Sequence, residues 1–557
     1  MQLTRKIARL VSTSISNREG DDLSEQYHRL RREVLEVGVG GYTVFGGNVD
    51  STAQLTHELS QESQHPLLVS SDLERGLGQQ LDGGTVFPTQ MAVGATGAHD
   101  LAFAQGWATA REALAAGINV VFSPVADVAS EPRNPIIGVR SFGGDPDTVS
   151  AMTVAFVRGC QQAGAVATAK HFPGHGDTSL DSHIELPRVD AGRATLELRE
   201  LAPFRAAVDA GVRAVMTAHV AYPALTGGDT PATLSREVVT GLLREEMGFE
   251  GVVFTDAMIM GAVAERYGTG EAAVLALEAG VDVLLMPPDP EGTITAVREA
   301  VREGRLTEER IDESLERIDE LHRVLGDFWE ENENHVEFPP EIEGAFGDDE
   351  PPDDNHRAEL AGCNRLAAAS IARHAVTLLR DEKGLVPLDA ESLDLGATQG
   401  HRVVVYTLKD RDRKMNLVWF RSAIEARLPH AMELTVTERT RGAELSGLLA
   451  TASRAEAVVV AVFDDVVAWK GRSGPSEELM ETARKLIAAA PDSVVLLFTG
   501  PESALELPDS RALFCCYDGS EPSQSAAVDA LFGASGVVGR LPVDVPPLFK
   551  AGDGLSR

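Results

Sequence analysis

The chain has 557 residues, enough for two or three domains with sizeable cores. Its formal charge of −35 argues against nucleic acid and against anionic membrane surfaces as partners. It contains no run of 18 apolar residues, so no transmembrane helix is expected.

Among the 50 basic residues only 8 are lysines, and an acidic, arginine-weighted surface suits a salty cytosol where repulsion is screened. The opening stretch MQLTRKIARLVSTSISNREGDD has no apolar core or small-residue cleavage site. It reads as an amphipathic helix with Ile7, Leu10 and Val11 inward rather than as a signal peptide, and a cytoplasmic setting is expected. Cys160, Cys363, Cys515 and Cys516 show no metal-ligand spacing. The adjacent Cys515 and Cys516 lie in an apolar run and read as buried thiols in a reducing compartment.

Seven short apolar runs follow along residues 1–326: 42–47, 66–72, 118–124, 165–172, 212–220, 251–257 and 281–288. Helical periodicity separates most of them, as in 102–117 and 235–248. Apolar strands alternating with helices predict a parallel sheet buried on both faces, here a TIM-type (β/α) barrel with one irregular unit. Polar residues gather where the strands end: Asp72, Asp127, His171, His219, Asp256 and Asp289. In such a barrel the active site lies at the carboxyl ends of the strands, although each residue alone could equally cap the next helix.

Residues 327–357 read as an acidic linker, since 327–354 carry 12 acids, four prolines and no Lys or Arg. Residues 358–557 return to βα alternation, with strand-like runs at 402–408, 457–465, 493–500 and 513–519. They predict a smaller doubly wound α/β domain. No phosphate-binding glycine motif accompanies it, so no nucleotide and no other cofactor is expected. Its polar loop 464–475 reads as a candidate to reach a substrate site or as an ordinary surface loop.

The densest chemistry lies in TAKHFPGHGDTSLDSHIELP, residues 168–187. The first residues finish a strand, and Pro173, Gly174 and Gly176 force a loop. Asp181 and His183, two apart, can project to one side, where the carboxylate would fix the imidazole tautomer and raise its basicity. Such a dyad is a proton shuttle near neutral pH. Binding of a metal by the histidines and aspartates is a second reading, without a recognised spacing; a hydrogen-bonded structural knot is a third. Asp256, directly after the apolar strand GVVFT, reads as an ionised nucleophile opposite this loop or as a helix cap.

The segments KHFPGHGDTSLDSH (170–183), AHVAYPAL (218–225), PATLSREVVTGLLREEMGFEGVVFTDAMIMGAV (231–263) and SPVADVASEPRNPIIGVRSFGGDP (123–146) together resemble glycoside hydrolase family 3, in its bacterial β-N-acetylglucosaminidase branch. ARHAVTLLRDEKGLVPL (372–388) and GVVGRLPVDVP (536–546) resemble the opening and close of that family's second domain. The resemblance implies a retaining, exo-acting enzyme that removes terminal β-linked N-acetylglucosamine. It implies Asp256 as nucleophile, His183 as general acid/base with Asp181 as its partner, and no metal. Asp72, Arg140, Lys170, His171, His175 and Gln80 are the implied substrate-binding set. One departure stands out: the family commonly has Gln-Arg where this chain has Gln79-Gln80, so Gln80 or Arg75 takes the arginine's part.

A β-glucosidase or β-xylosidase of the same family, or a sugar-binding protein without activity, are the alternatives. The histidine acid/base also suggests that inorganic phosphate competes with water in the second step, because a carboxylate would repel it. The expected partner is a small carbohydrate, either a muropeptide of peptidoglycan recycling or a chitin-derived sugar.

Overall fold

A computed structural model describes residues 2–18, 20–179, 186–331, 357–394, 402–411, 415–464 and 474–557. The chain divides into two compact units. The first comprises Met1–Val86, His99–Val128 and Val149–Arg365; the second comprises Phe87–Ala98, Ala129–Thr148 and Leu366–Arg557.

The first unit is built on eight strands: β1 (Val11–Ser16), β2 (Gly41–Phe45), β3 (Leu68–Ser71), β4 (Val120–Val121), β5 (Val166–Phe172), β6 (Ala214–Thr217), β7 (Val252–Phe254) and β8 (Leu284–Leu285). All pair in parallel in the order β7-β6-β5-β4-β3-β2-β1-β8, and a Phe254–Val283 bridge brings the two ends together. This is the expected barrel. The apolar runs form strands because helices cover one face and barrel packing the other; all seven residues of β5 are buried.

The amino terminus corrects the sequence reading. The helix ends at Ala8, and Val11 opens β1, which pairs with both β2 and β8. This strand supplies the eighth member of the barrel. Its sequence VSTSIS hid it, because Ser12 and Thr13, on opposite faces of the strand, are polar yet buried at 2% and 4% exposure and break the apolar run. Thr13 is satisfied there by the buried Glu33 carboxylate at 2.7 Å.

The helix Glu308–Glu331 also runs five residues into the stretch expected to be linker, and residues 332–356 lie outside the described residues. No helix among the described residues is long and apolar enough to cross a membrane.

The second unit carries a six-stranded sheet of β9 (Thr377–Asp381), β10 (Val403–Lys409), β11 (Met432–Val436), β12 (Ala457–Phe463), β13 (Val494–Phe498) and β14 (Ala512–Cys515). The order is β11-β10-β12-β13-β14-β9, with β9 antiparallel at the edge. Alternate residues of the central strands feed two separate cores. Val404, Tyr406, Val458 and Val460 pack on one face; Val403, Val405, Val459 and Ala461 pack on the other. Strands β9 and β11 were not legible in the sequence, since TLLRD and MELTV mix charge into short edge segments. Cys515 and Cys516 are buried free thiols, as expected.

Candidate active site

Strand β5 ends in Lys170 and His171, and the pairing with β6 shifts between Lys170 and Phe172. The bulge interrupts strict alternation at the carboxyl end. The Lys170 ammonium is 1% exposed and lies 2.7 Å from Asp72 Oδ1 and 2.7 Å from Glu74 Oε1. A buried ammonium needs such partners, and two carboxylates leave the trio with a net negative charge. Asp72 is the outward member, its side chain 34% exposed, whereas Glu74 is buried.

Beside this trio Asp127 is wholly buried. Its carboxylate accepts the His171 backbone N–H at 3.2 Å, the His175 backbone N–H at 2.6 Å, and faces His171 Nδ1 at 2.8 Å. Burial alone would raise this carboxyl, but the His171 imidazole and the His175 ring and amide hold it below its ordinary value. One aspartate thus ties the strand end to the loop that follows.

Within that loop His175 is 1% exposed, and its Nδ1 lies 2.9 Å from the Thr178 hydroxyl. Burial, with the nearby His171, pushes its pKa down to about 4, against the opposing charges of Asp127 and Asp256. His175 is therefore neutral near pH 7. Gly176 is required here: a Cβ would sit 1.7 Å from the Val128 carbonyl oxygen. Asp177 pairs with Arg199 at 2.6 Å, and Arg199 also pairs with the buried Glu200. Asp181 and His183 lie outside the described residues.

Asp256 follows β7 and is half-buried. Its N–H donates to the Thr217 carbonyl at 3.2 Å, and its Oδ1 accepts the Ala257 N–H at 2.7 Å. Next to it, His219 is fully buried after β6, with Nε2 3.3 Å from the Ala257 carbonyl oxygen and Nδ1 2.9 Å from Thr233 Oγ1. The barrel brings Asp72, Lys170, His171, His219 and Asp256 to one face because each lies at or just beyond the carboxyl end of its strand.

Other sequence candidates have different surroundings. The Gln80 amide donates to the Asp72 carbonyl at 3.3 Å, so it braces the backbone of that aspartate. Arg140 belongs to the second unit, where it closes a short turn, Gly138–Arg140, and donates to the Ile136 carbonyl at 3.0 Å. Asp289 is a helix cap, accepting the Gly292 N–H at 2.9 Å.

Glu74 was missed by the sequence reading, and Asp127 was noted only as a strand-end residue. Glu74 left a signal, its two-residue spacing from Asp72 in SDLERG. Among the described residues no group of three His, Cys, Asp or Glu side chains is arranged to hold a metal ion.

Comparison with known proteins agrees with this architecture. Residues 2–321 match the glycosyl hydrolase family 3 N-terminal domain. The chain is 35% identical over 329 residues to beta-hexosaminidase A of Pseudoalteromonas piscicida, covering 53% of this chain and 55% of that protein, so it spans about half that relative's length. It is 29% identical over 532 residues to a beta-N-acetylglucosaminidase/beta-glucosidase of Cellulomonas fimi, covering 91% of this chain and 88% of that one. The solved structure of a glycoside hydrolase family 3 beta-N-acetylglucosaminidase from Paenibacillus sp. str. FPU-7 superimposes with a TM-score of 0.81 at 33% identity. That superposition covers 98% of this chain and 99% of the other. Because the domain match runs from before β1 to beyond β8, more than half the chain, this protein belongs to glycosyl hydrolase family 3.

Proposed function

We propose that this protein is a retaining, exo-acting β-N-acetylglucosaminidase. The observation that carries the reading is the half-buried Asp256, gripped by the Ala257 amide on the barrel face that also holds the Lys170–Asp72 pair. Asp256 attacks the anomeric carbon and forms a covalent glycosyl-enzyme, and the leaving oxygen takes a proton from His183. His183 then removes a proton from the attacking water, with Asp181 holding the imidazole tautomer. Their part rests on the DSH motif alone.

Lys170, Asp72 and His171 bind the sugar hydroxyls in this reading. Lys170 donates, and the outward oxygens of Asp72 accept. Gln80 and His175, in the same unit, complete the set in this reading. Terminal N-acetylglucosamine as substrate is supported by the names of the Cellulomonas and Paenibacillus relatives, and the Pseudoalteromonas name gives a hexosaminidase. The Cellulomonas name also carries beta-glucosidase, which favours a second reading as an enzyme of relaxed specificity at the 2-position. The natural substrate in this reading is a muropeptide or a chitin-derived sugar, and phosphate competes with water in the second step.

The test is release of nitrophenol from aryl β-N-acetylglucosaminide and aryl β-glucoside by wild type and Asp256→Ala. The first substrate is favoured, and Asp256→Ala loses about four orders of magnitude or more in kcat. Activity surviving in that variant rejects the nucleophile. Preference for the glucoside rejects the N-acetylglucosaminidase reading. In phosphate buffer a sugar phosphate should appear beside free sugar; free sugar alone rejects the phosphate step.

A further inference from the structure

His219 is fully buried, with hydrogen-bond partners at both ring nitrogens. The Thr233 hydroxyl lies 2.9 Å from His219 Nδ1 and 2.9 Å from the Ala218 carbonyl, and it receives the Thr217 hydroxyl at 2.9 Å. Thr233 has one hydrogen to give. If that hydrogen goes to Ala218, His219 must carry its own proton on Nδ1, and a neutral ring then turns a bare Nε2 lone pair toward the Ala257 carbonyl. If it goes to Nδ1, the proton of His219 sits on Nε2 and is donated to Ala257. The second arrangement makes the 3.3 Å contact with Ala257 attractive for a neutral imidazole; it takes the Thr233 hydroxyl hydrogen from the Ala218 carbonyl, which keeps the Thr233 backbone N–H at 3.3 Å.

Ala257 is the residue whose N–H holds Asp256 Oδ1 at 2.7 Å. On its other side the Met258 N–H is fixed to the Leu285 carbonyl at 2.8 Å. The turn behind the carboxylate is therefore held from β6 by His219 and from β8 by Leu285. We propose that His219 is a positioning residue for Asp256: as the Nε2–H tautomer set by Thr233, it anchors Ala257 and so aims the carboxylate. This inference rests on the reading of Asp256 as nucleophile.

Its test uses His219→Gln and His219→Asn in the full chain. The glutamine amide reaches the position of Nε2 and restores a donor to Ala257; the asparagine amide reaches only that of Nδ1. The expected result is a kcat/KM lower by about 10- to 100-fold in His219→Asn, carried by kcat with KM little changed. His219→Gln recovers most of the loss. A misaimed nucleophile slows aryl glycosides with good and poor leaving groups by the same factor, whereas a disturbed acid/base spares the good ones.

Equal losses in the two variants, or a loss confined to poor leaving groups, overturn the inference. Thr233→Val, which removes the donor to Nδ1, lowers kcat in the same direction, and Thr233→Ser restores it. This pair decides the matter if the His219 variants do not fold, and a Thr233→Val enzyme of wild-type rate overturns the tautomer assignment. Asp256→Ala run in parallel separates the failures. If it is inactive, a negative result falls on His219 alone; if it is active, the nucleophile reading and this inference fall together.

Discussion

At the amino-terminal end of β8 Asp282 is wholly buried, with Arg244 at 2.5 Å, Arg317 at 3.0 Å, Arg310 at 3.7 Å and the Ser314 hydroxyl at 2.7 Å. At the carboxyl ends of β3 and β5 Lys170 is equally buried, between Asp72 and Glu74. Both are charge clusters inside one barrel, yet they serve different ends. Around Asp282 one acid is surrounded by several donors, including the Val253 N–H, and no part of its carboxylate reaches solvent. Burial pushes the Arg244 guanidinium down to about 10, with Asp282 working against that shift. Around Lys170 the balance is reversed, one base between two acids, and Asp72 opens outward. An acid sealed at the centre of its cluster by several donors holds strands together; a cluster whose acid opens outward is able to meet a ligand.

Asp282→Ala is the severest way to break the comparison. It leaves buried arginines without their counter-charge, and unfolding free energy at pH 7 falls by about 3–5 kcal/mol. Denaturant melts followed by fluorescence measure this, while kcat per folded molecule stays near wild type. A large loss of kcat in the folded variant means that the two ends are not separable.

Lys170→Met comes next. It removes a proposed hydrogen-bond donor to the sugar and leaves Asp72 and Glu74 facing each other. We expect kcat/KM to fall about 100-fold, since an unpaired charged group costs about 3 kcal/mol. Two like charges in one pocket also raise the pKa of one, so the acid limb of the pH profile moves upward. A variant with unchanged kcat/KM and pH profile rules out this trio as the sugar-binding cluster.

The smallest effect sharpens the comparison through pH. His175, at the site end, has its pKa lowered to about 4 in the folded state from an ordinary 6.5. The unfolded chain then binds the extra proton first, so the stability contributed by neutral His175 is present above pH 6.5 and is lost as pH falls toward 4. Between pH 6.5 and 5 this amounts to about 2 kcal/mol. His322, at the other end beside Arg9, is likewise pushed to about 4 by burial and titrates in the same sense. Melting temperatures from pH 7 to 5 should flatten in His175→Gln and in His322→Gln, and only the first should also change activity. A slope unaltered in both removes buried histidine as the source of acid sensitivity.

Much of the candidate site could be read before folding was considered. Asp72, Lys170, His171 and Asp256 each end an apolar run, and a parallel barrel must deliver strand ends to one face. Asp289 ended a run too, yet it caps its own helix, as Pro290 at the first helical position and Glu291 after it mark a helix start. Glu74 was overlooked because its partner, Lys170, is remote in the chain. His219 looked like one more strand-end polar residue until its two ring nitrogens were seen to have partners.

The sequence by itself determined the two α/β units, the parallel barrel and the motif residues. Burial on both faces requires continuous apolar runs, and the loop motif is a contiguous string. Tertiary structure alone decided that VSTSIS is the first barrel strand, because its buried Thr13 is satisfied by Glu33, 20 residues away. It alone decided that Asp127 clamps His171 from 44 residues away and that Lys170 meets Asp72 across 98. Spacing along the chain constrains neighbours within a turn or a strand. Hydrogen bonds and ion pairs that cross the barrel depend on which strand ends meet, and that is settled only when the barrel closes.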